Sequence, residues 1–252
     1  MTAARAIRYL LPLALLAAAG AAAEQAPLVV ALDYVMPEQR VDKKFRSPET
    51  IDSALAADLG ERLKRTLNTV PAKQAPQSAV RITTLDGRGT VPAGYVSIPV
   101  PYESAPMAIM RTDTTIKRWE HLKGRTVCVS QGGNHVGTLT ARYGAIEKVY
   151  PAPADALIAV RTGECDATVH DSAMLEELIR LPEWKKFSAR LPAGEGRRLA
   201  VLVPAHDRNT IAAVQGAVRD WNEQEFPKEL TKKAVRAIAF EVYLDQDVPD
   251  CH

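Results

Sequence analysis

Residues 122–171 read LKGRTVCVSQGGNHVGTLTARYGAIEKVYPAPADALIAVRTGECDATVHD, and this stretch decides the fold. Thr126 to Ser130 is a short β-branched apolar run, and Gly132-Gly133 breaks it where the chain has to turn into a helix beginning near Asn134 or His135. Glu147 to Tyr150 reads as a second strand, Ala154 to Thr162 as a helix carrying Leu157, Ile158 and Val160, and Ala167 to His170 as a third strand. Strands alternating with helices in this way predict an α/β unit with a parallel sheet. In such sheets ligands bind beyond the carboxyl ends of the strands, which is where Gly132-Gly133 and Asp171 fall. A strand-to-helix turn of this kind is expected to point free backbone N–H groups outward, with the positive end of the helix behind them, toward an anion such as a carboxylate. Without further context, Gly132-Gly133 is only a turn, and Asp171 before Ser172 is only a helix N-cap.

The run LKGRTVCVSQGG followed by ALIAVRTGECDATVHD resembles the second lobe of the family 3 periplasmic solute-binding proteins, the amino-acid receptors of ABC importers, over residues 105–205. The resemblance implies an α/β, two-lobe periplasmic-binding-protein-like fold of type II, its lobes joined by two crossover strands. It implies that Gly132, Gly133 and Asn134 hold a ligand's α-carboxylate and that Asp171 holds its ammonium group. It places Tyr34 as an aromatic in the cleft and Tyr102, in Pro101-Tyr102, at the family's Pro-Tyr position. Arg88 falls near the family's carboxylate-binding arginine, several residues short of the usual spacing. Packing for Tyr34 and a solvated loop for Arg88 are the plain alternatives. One subgroup of the family has cysteines where this chain has Cys128 and Cys165, which implies a disulfide if their strands are neighbours. The alternative is a buried Cys128 and an unrelated loop thiol at Cys165. Cys251 is then the odd cysteine.

Outside this unit, MTAARAIRYLLPLALLAAAGAAA has two arginines, an apolar run and small residues up to Ala23, the pattern of a cleavable signal peptide spanning 1–23. The apolar run is short for a membrane span. A periplasmic location follows, where disulfides form. The whole chain carries 32 Lys+Arg and 30 Asp+Glu, and loss of the leader, with its two arginines and no acids, leaves a formally neutral protein. A neutral surface gives no footprint for nucleic acid. Ser47-Pro48-Glu49 reads as the start of a long helix through Ile51, Leu55, Leu59, Leu63 and Leu67. Between Asn68 and Tyr95 only Ala79 to Leu85 reads as a strand, so the first lobe is expected to be divergent and shortened. Ala105–Met110 and Leu199–Pro204 are the expected crossovers. Lobe one is thus expected over 24–110 and 205–252, and lobe two over 111–204. The apolar faces of 211–221 and 227–238 predict two helices packing back on lobe one.

The five histidines are scattered, with no metal-ligand spacing. No G-x-S-x-G elbow, Walker loop or dinucleotide fingerprint is present. Neither a metal, a cofactor nor a catalytic residue is therefore assigned. His135 is either a first-turn solvent residue or a ligand contact, and His170 is expected to point away if Asp171 faces the cleft. The expected function is a monomeric periplasmic receptor that binds a small polar solute, an amino acid or related carboxylate, between its lobes. Its partner is an ABC permease or another periplasmic protein. Two other classes remain open: a receptor-like accessory protein acting through protein contacts, and an enzyme of this fold, such as a cyclohexadienyl dehydratase, with His135 or Glu38 as acid–base residue.

Overall fold

The structure, a computed structural model, describes residues 26–35, 46, 50–85 and 88–245. The expected leader, Glu38, Ser47-Pro48-Glu49 and Cys251 lie outside the described residues. The described chain forms two five-stranded sheets. The first contains β1 (Leu28–Leu32), β2 (Leu67–Pro71), β3 (Val80–Leu85), β4 (Tyr95–Ser104) and β10 (Arg197–Pro204), in the order β2-β1-β3-β10-β4. The second contains β5 (Pro106–Met110), β6 (Thr126–Ser130), β7 (Ile146–Tyr150), β8 (Ala167–Asp171) and β9 (Ala189–Leu191), in the order β7-β6-β8-β5-β9.

Both sheets follow one plan. In each, a central strand pairs in parallel with two neighbours, β1 with β2 and β3, and β6 with β7 and β8. An antiparallel strand then closes the core, β10 in the first sheet and β5 in the second. These two strands follow the points where the chain passes between the sheets. Each belongs to the sheet that the chain has just entered, although the sequence reading placed Ala105–Met110 with the first lobe and Leu199–Pro204 with the second. The cause is burial on both faces: Met107 to Met110 and Leu199 to Val203 are all buried, and a strand covered on both sides needs partners on both edges.

The first lobe has the second strand that the sequence reading missed. The helix α1 (Ile51–Leu63) stops at Lys64, which adopts a left-handed conformation with φ 52°. Leu67, four residues beyond Leu63, continues the helical ladder only on paper, because Leu67–Pro71 pairs with Leu28–Leu32. What is short is the link from β2 to β3, a 3-10 turn at Ala72–Gln74 in place of a helix. The start of α1 also differs from expectation. Thr50 is the N-cap, and a reciprocal pair of bonds with Ser53 closes the first turn.

The remaining helices are α2 (Thr138–Tyr143), α3 (Pro153–Arg161), α4 (Ser172–Leu178), α5 (Arg208–Glu223) and α6 (Phe226–Leu244). Helix α5 packs on the first lobe as expected, its fully buried Trp221 donating its indole N–H to Asp58 Oδ2 at 2.6 Å. Helix α6 does not stay there. Phe226 and Leu230 pack on the first-lobe core, while Val235, Ile238 and Val242 join Leu157, Leu175 and Leu178 in the second. Its apolar stripe is long enough to serve both lobes, and the sequence pattern carries no sign of which one each turn meets. Arg46, just before α1, adds an ion pair to Asp155 on α3 and another to Asp245 Oδ2 at 2.6 Å. Cys128 on β6 and Cys165 beyond α3 are joined in a disulfide with Cα atoms 5.9 Å apart, within the ordinary range.

Candidate functional site

The strands β6 and β8 are parallel, so Ser130 and Asp171 end the second sheet on the same side. Facing them are the end of β1 at Asp33-Tyr34, the first turn of α1 and Tyr102 near the end of β4. A cavity of about 150 Å3 lies between these groups. Tyr34, Asp52, Thr84 and Tyr102 line it from the first lobe, and Gly132 to His135, His170 and Asp171 from the second. Thr231, Ala234, Ile238 and Glu241 lie on one face of α6 and close a third side. Of the residues singled out in the sequence, the structure brings together Tyr34, Tyr102, Gly132, Gly133, Asn134 and Asp171. Arg88 stands apart on the exposed turn after β3 and does not line the cavity.

The lobes touch at Gly132, whose φ is +81°. A Cβ built there would come within 2.3 Å of the Tyr34 ring, so backbone conformation and close approach both demand glycine. The lobes touch again at Asp171. This residue occupies the N-cap position of α4, yet its side chain makes no capping bond. Its carboxylate instead meets His135 Nε2 at 2.9 Å, and the Tyr102 hydroxyl donates to Oδ2 over a long 3.2 Å. Burial, then the charges of Asp171 and Asp52, push the Tyr102 phenol well above its usual range, so it remains a donor at neutral pH. His135 is buried within this network rather than solvated as a first-turn residue. His170 is also among the residues around the cavity, although β8 pairs with β5 through both His170 and Asp171. Burial holds His170 below the ordinary histidine range, and its Nδ1 accepts the Asp171 N–H at 2.7 Å.

The glycine turn presents only part of the amide set expected of it: Gly133 N is taken, whereas the Gly132 and Asn134 N–H groups bond to no described residue. The helix begins at Thr138, four residues later than Asn134, after a left-handed Gly137, and spans six residues. Its amino end is already occupied, since the Glu147 carboxylate accepts from Gly137 N at 2.5 Å and Thr140 N at 2.8 Å. Gln131 N donates to Tyr150 O, Gly133 N to Ser130 O, Val136 N to Gly133 O and Thr138 N to His135 O. An internal carboxylate and four carbonyls thus take six amide donors around the turn, and the Gly132 and Asn134 N–H groups are not among them.

Asp52 has the opposite problem. It is half-buried at the second position of α1, and no described residue donates a hydrogen bond to its carboxylate. Burial raises its pKa to about 7, helped by the charges of Asp33 and Asp171. Nothing in the sequence distinguished this residue from any acid in a first helical turn, where the helix end favours negative charge. Among the described residues, no group of three or more His, Cys, Asp or Glu is placed to hold a metal ion, and no helix is long and apolar enough to cross a membrane.

No protein-family model and no curated protein matches the sequence. Solved structures do match. A mutant of ArgBP from T. maritima is 18% identical with a TM-score of 0.57, covering 82% of this chain and 94% of its own. The amino acid ABC transporter substrate-binding protein AbpA from Streptococcus pneumoniae, bound to L-arginine, is 17% identical with a TM-score of 0.57, covering 84% and 96%. The GluR0 ligand-binding core in complex with L-glutamate is 11% identical with a TM-score of 0.58, covering 84% and 99%. At such identities the likeness establishes the fold: a mixed α/β, two-lobe fold of the type II periplasmic-binding-protein kind.

Proposed function

We propose that this chain is a solute-binding receptor of the family 3 kind, exported by its leader to the periplasm, which binds a small polar solute between its two lobes for an ABC importer. The observation that carries the reading is the cavity itself, walled by both lobes and bridged by the Tyr102 to Asp171 contact. Convergent polar groups around one concave site at a lobe junction are the usual form of a small-molecule site. Closure by hinge motion follows from the same layout, because the solute would touch Tyr34, Tyr102, Gly132 to Asn134 and Asp171 at once. Binding, with no bond made or broken, is the function. Thermal melting of the purified chain against a panel of amino acids, amines and organic anions tests it. A solute at ~100 times its dissociation constant adds about 2.7 kcal/mol, which at this chain length raises Tm by roughly 5 to 10 °C. No shift with any solute of the panel would refute the reading.

One alternative has a specific observation in its favour. The His135 to Asp171 pair could move a proton to or from a bound molecule, as a proton-transfer enzyme on this fold would require. Turnover of a panel solute that binds, detected as product by mass spectrometry, would favour that alternative. The accessory-protein reading retains one supporting feature, the 3-10 turn that stands in place of a helix between β2 and β3 in the five-stranded first lobe.

A further inference from the structure

The lining of the cavity is chemically lopsided. Among the described residues it includes Asp52, Asp171 and Glu241 and neither arginine nor lysine. Of the amides in and after the glycine turn, those of Gly133, Val136 and Gly137 are taken by backbone carbonyls and by Glu147, while those of Gly132 and Asn134 are not. A bound carboxylate would therefore lie beside acids, with no described cation to offset its charge. A bound ammonium would meet the opposite situation. Asp52 offers a carboxylate to which no described residue donates, at a wall of the cavity formed by the first lobe. Two tyrosines, Tyr34 and Tyr102, line the same space, and aromatic faces attract organic cations. The Tyr34 hydroxyl is itself buried without a hydrogen-bond partner, a polar group left for something else to satisfy. The volume of about 150 Å3 equals that of an engineered cavity that binds benzene, so the ligand has roughly six heavy atoms.

We propose that the solute is a small primary amine without a carboxylate, its ammonium group received by Asp52 beside the two tyrosines, and that Asp52 is the residue that excludes free amino acids. The inference rests on the solute-binding reading and narrows it to one chemical class. Asp171 remains part of the same wall, with its carboxylate engaged by His135 and Tyr102.

Titration calorimetry of the full chain with a matched pair of probes tests the proposal. Butylamine and norvaline differ only by the carboxylate on the carbon that carries nitrogen. Butylamine is expected to bind at least tenfold more tightly than norvaline, and Asp52→Asn is expected to weaken butylamine at least tenfold. The same variant should narrow the gap between the two probes, which a merely structural residue would not do. Asn keeps the size and removes only the charge, and an unchanged melting profile at acid pH confirms that the variant is folded. Norvaline binding as tightly as butylamine, or an Asp52→Asn variant that retains the butylamine preference, would overturn the proposal. Binding of amino acids without amines would overturn it and leave the receptor reading standing. Absence of binding by any amine, amino acid or organic anion would overturn both.

Discussion

Replacing Asp52 by asparagine should stabilise the empty protein, and only above acid pH. The folded-state pKa of about 7 stands above the ordinary aspartate value of 3.8. Between those values the unfolded chain has released its proton while the folded chain still holds it, so stability falls as pH rises from about 4 to about 7 and is level thereafter. A gap of about three pKa units corresponds to a ceiling of roughly 4 kcal/mol. Two effects lower it. The carboxylate is half-buried and partly screened by water in the cavity, and the first turn of α1 favours negative charge by about 0.3 to 1 kcal/mol. A net gain of about 1 to 2 kcal/mol for Asp52→Asn is the expected outcome at pH 8, shrinking to nearly nothing at pH 4. Urea unfolding of both proteins at several pH values reads this directly, as a difference in midpoint that opens between pH 4 and 7. A variant destabilised by the same amount at every pH would show that Asp52 makes a structural contact, and the picture of an uncompensated carboxylate would be wrong.

Gly132→Ala should cost at least about 1 to 3 kcal/mol, from a left-handed backbone and the Tyr34 contact together; a Tyr34→Ala double mutant should recover only the contact part, measured by a denaturation cycle. Amine affinity should rise between pH 6 and 8 as Asp52 ionises in the field of Asp33, Asp171, Tyr102, His135, His170 and Glu241, and calorimetry in two buffers should detect the released proton; a flat profile would contradict this. Asp171→Ala leaves His135 and Tyr102 without their acceptor and should weaken an amine by roughly 2 to 4 kcal/mol, whereas equal loss for an organic anion would deny it a role toward the ammonium. Peptide mapping without reductant should find Cys128 joined to Cys165 and Cys251 open to alkylation, and removing the bridge should cost up to about 4 kcal/mol on the chain-entropy account.

The second lobe was legible because its signals are local. Thr126–Ser130 is a β-branched run, Gly132-Gly133 punctuates it, and the apolar spacing of 154–162 fits one helix face, so strands and helix come out within a residue or two of where they lie. The first lobe was harder because Leu67 satisfies two periods at once, and the left-handed Lys64 that ends the helix has no sequence signature. The site was legible in outline. Tyr34, Tyr102, the glycine turn and Asp171 share one cavity. What sequence spacing could not supply were contacts between distant residues. Glu147 takes up the amides of Gly137 and Thr140 from the neighbouring strand, and His135 reaches Asp171 across 36 positions of chain. Asp52 became visible only when Asp33 and Asp171 were placed around it.

Hydrogen–deuterium exchange of the full chain, with and without the tightest solute of the panel, tests most directly the claim that a solute binds between the lobes. Solute should slow exchange at four places together: Asp33-Tyr34, the first turn of α1, residues 130–136, and the junction of β8 with α4 at Asp171. Protection confined to one lobe, or found away from these segments, would contradict the account.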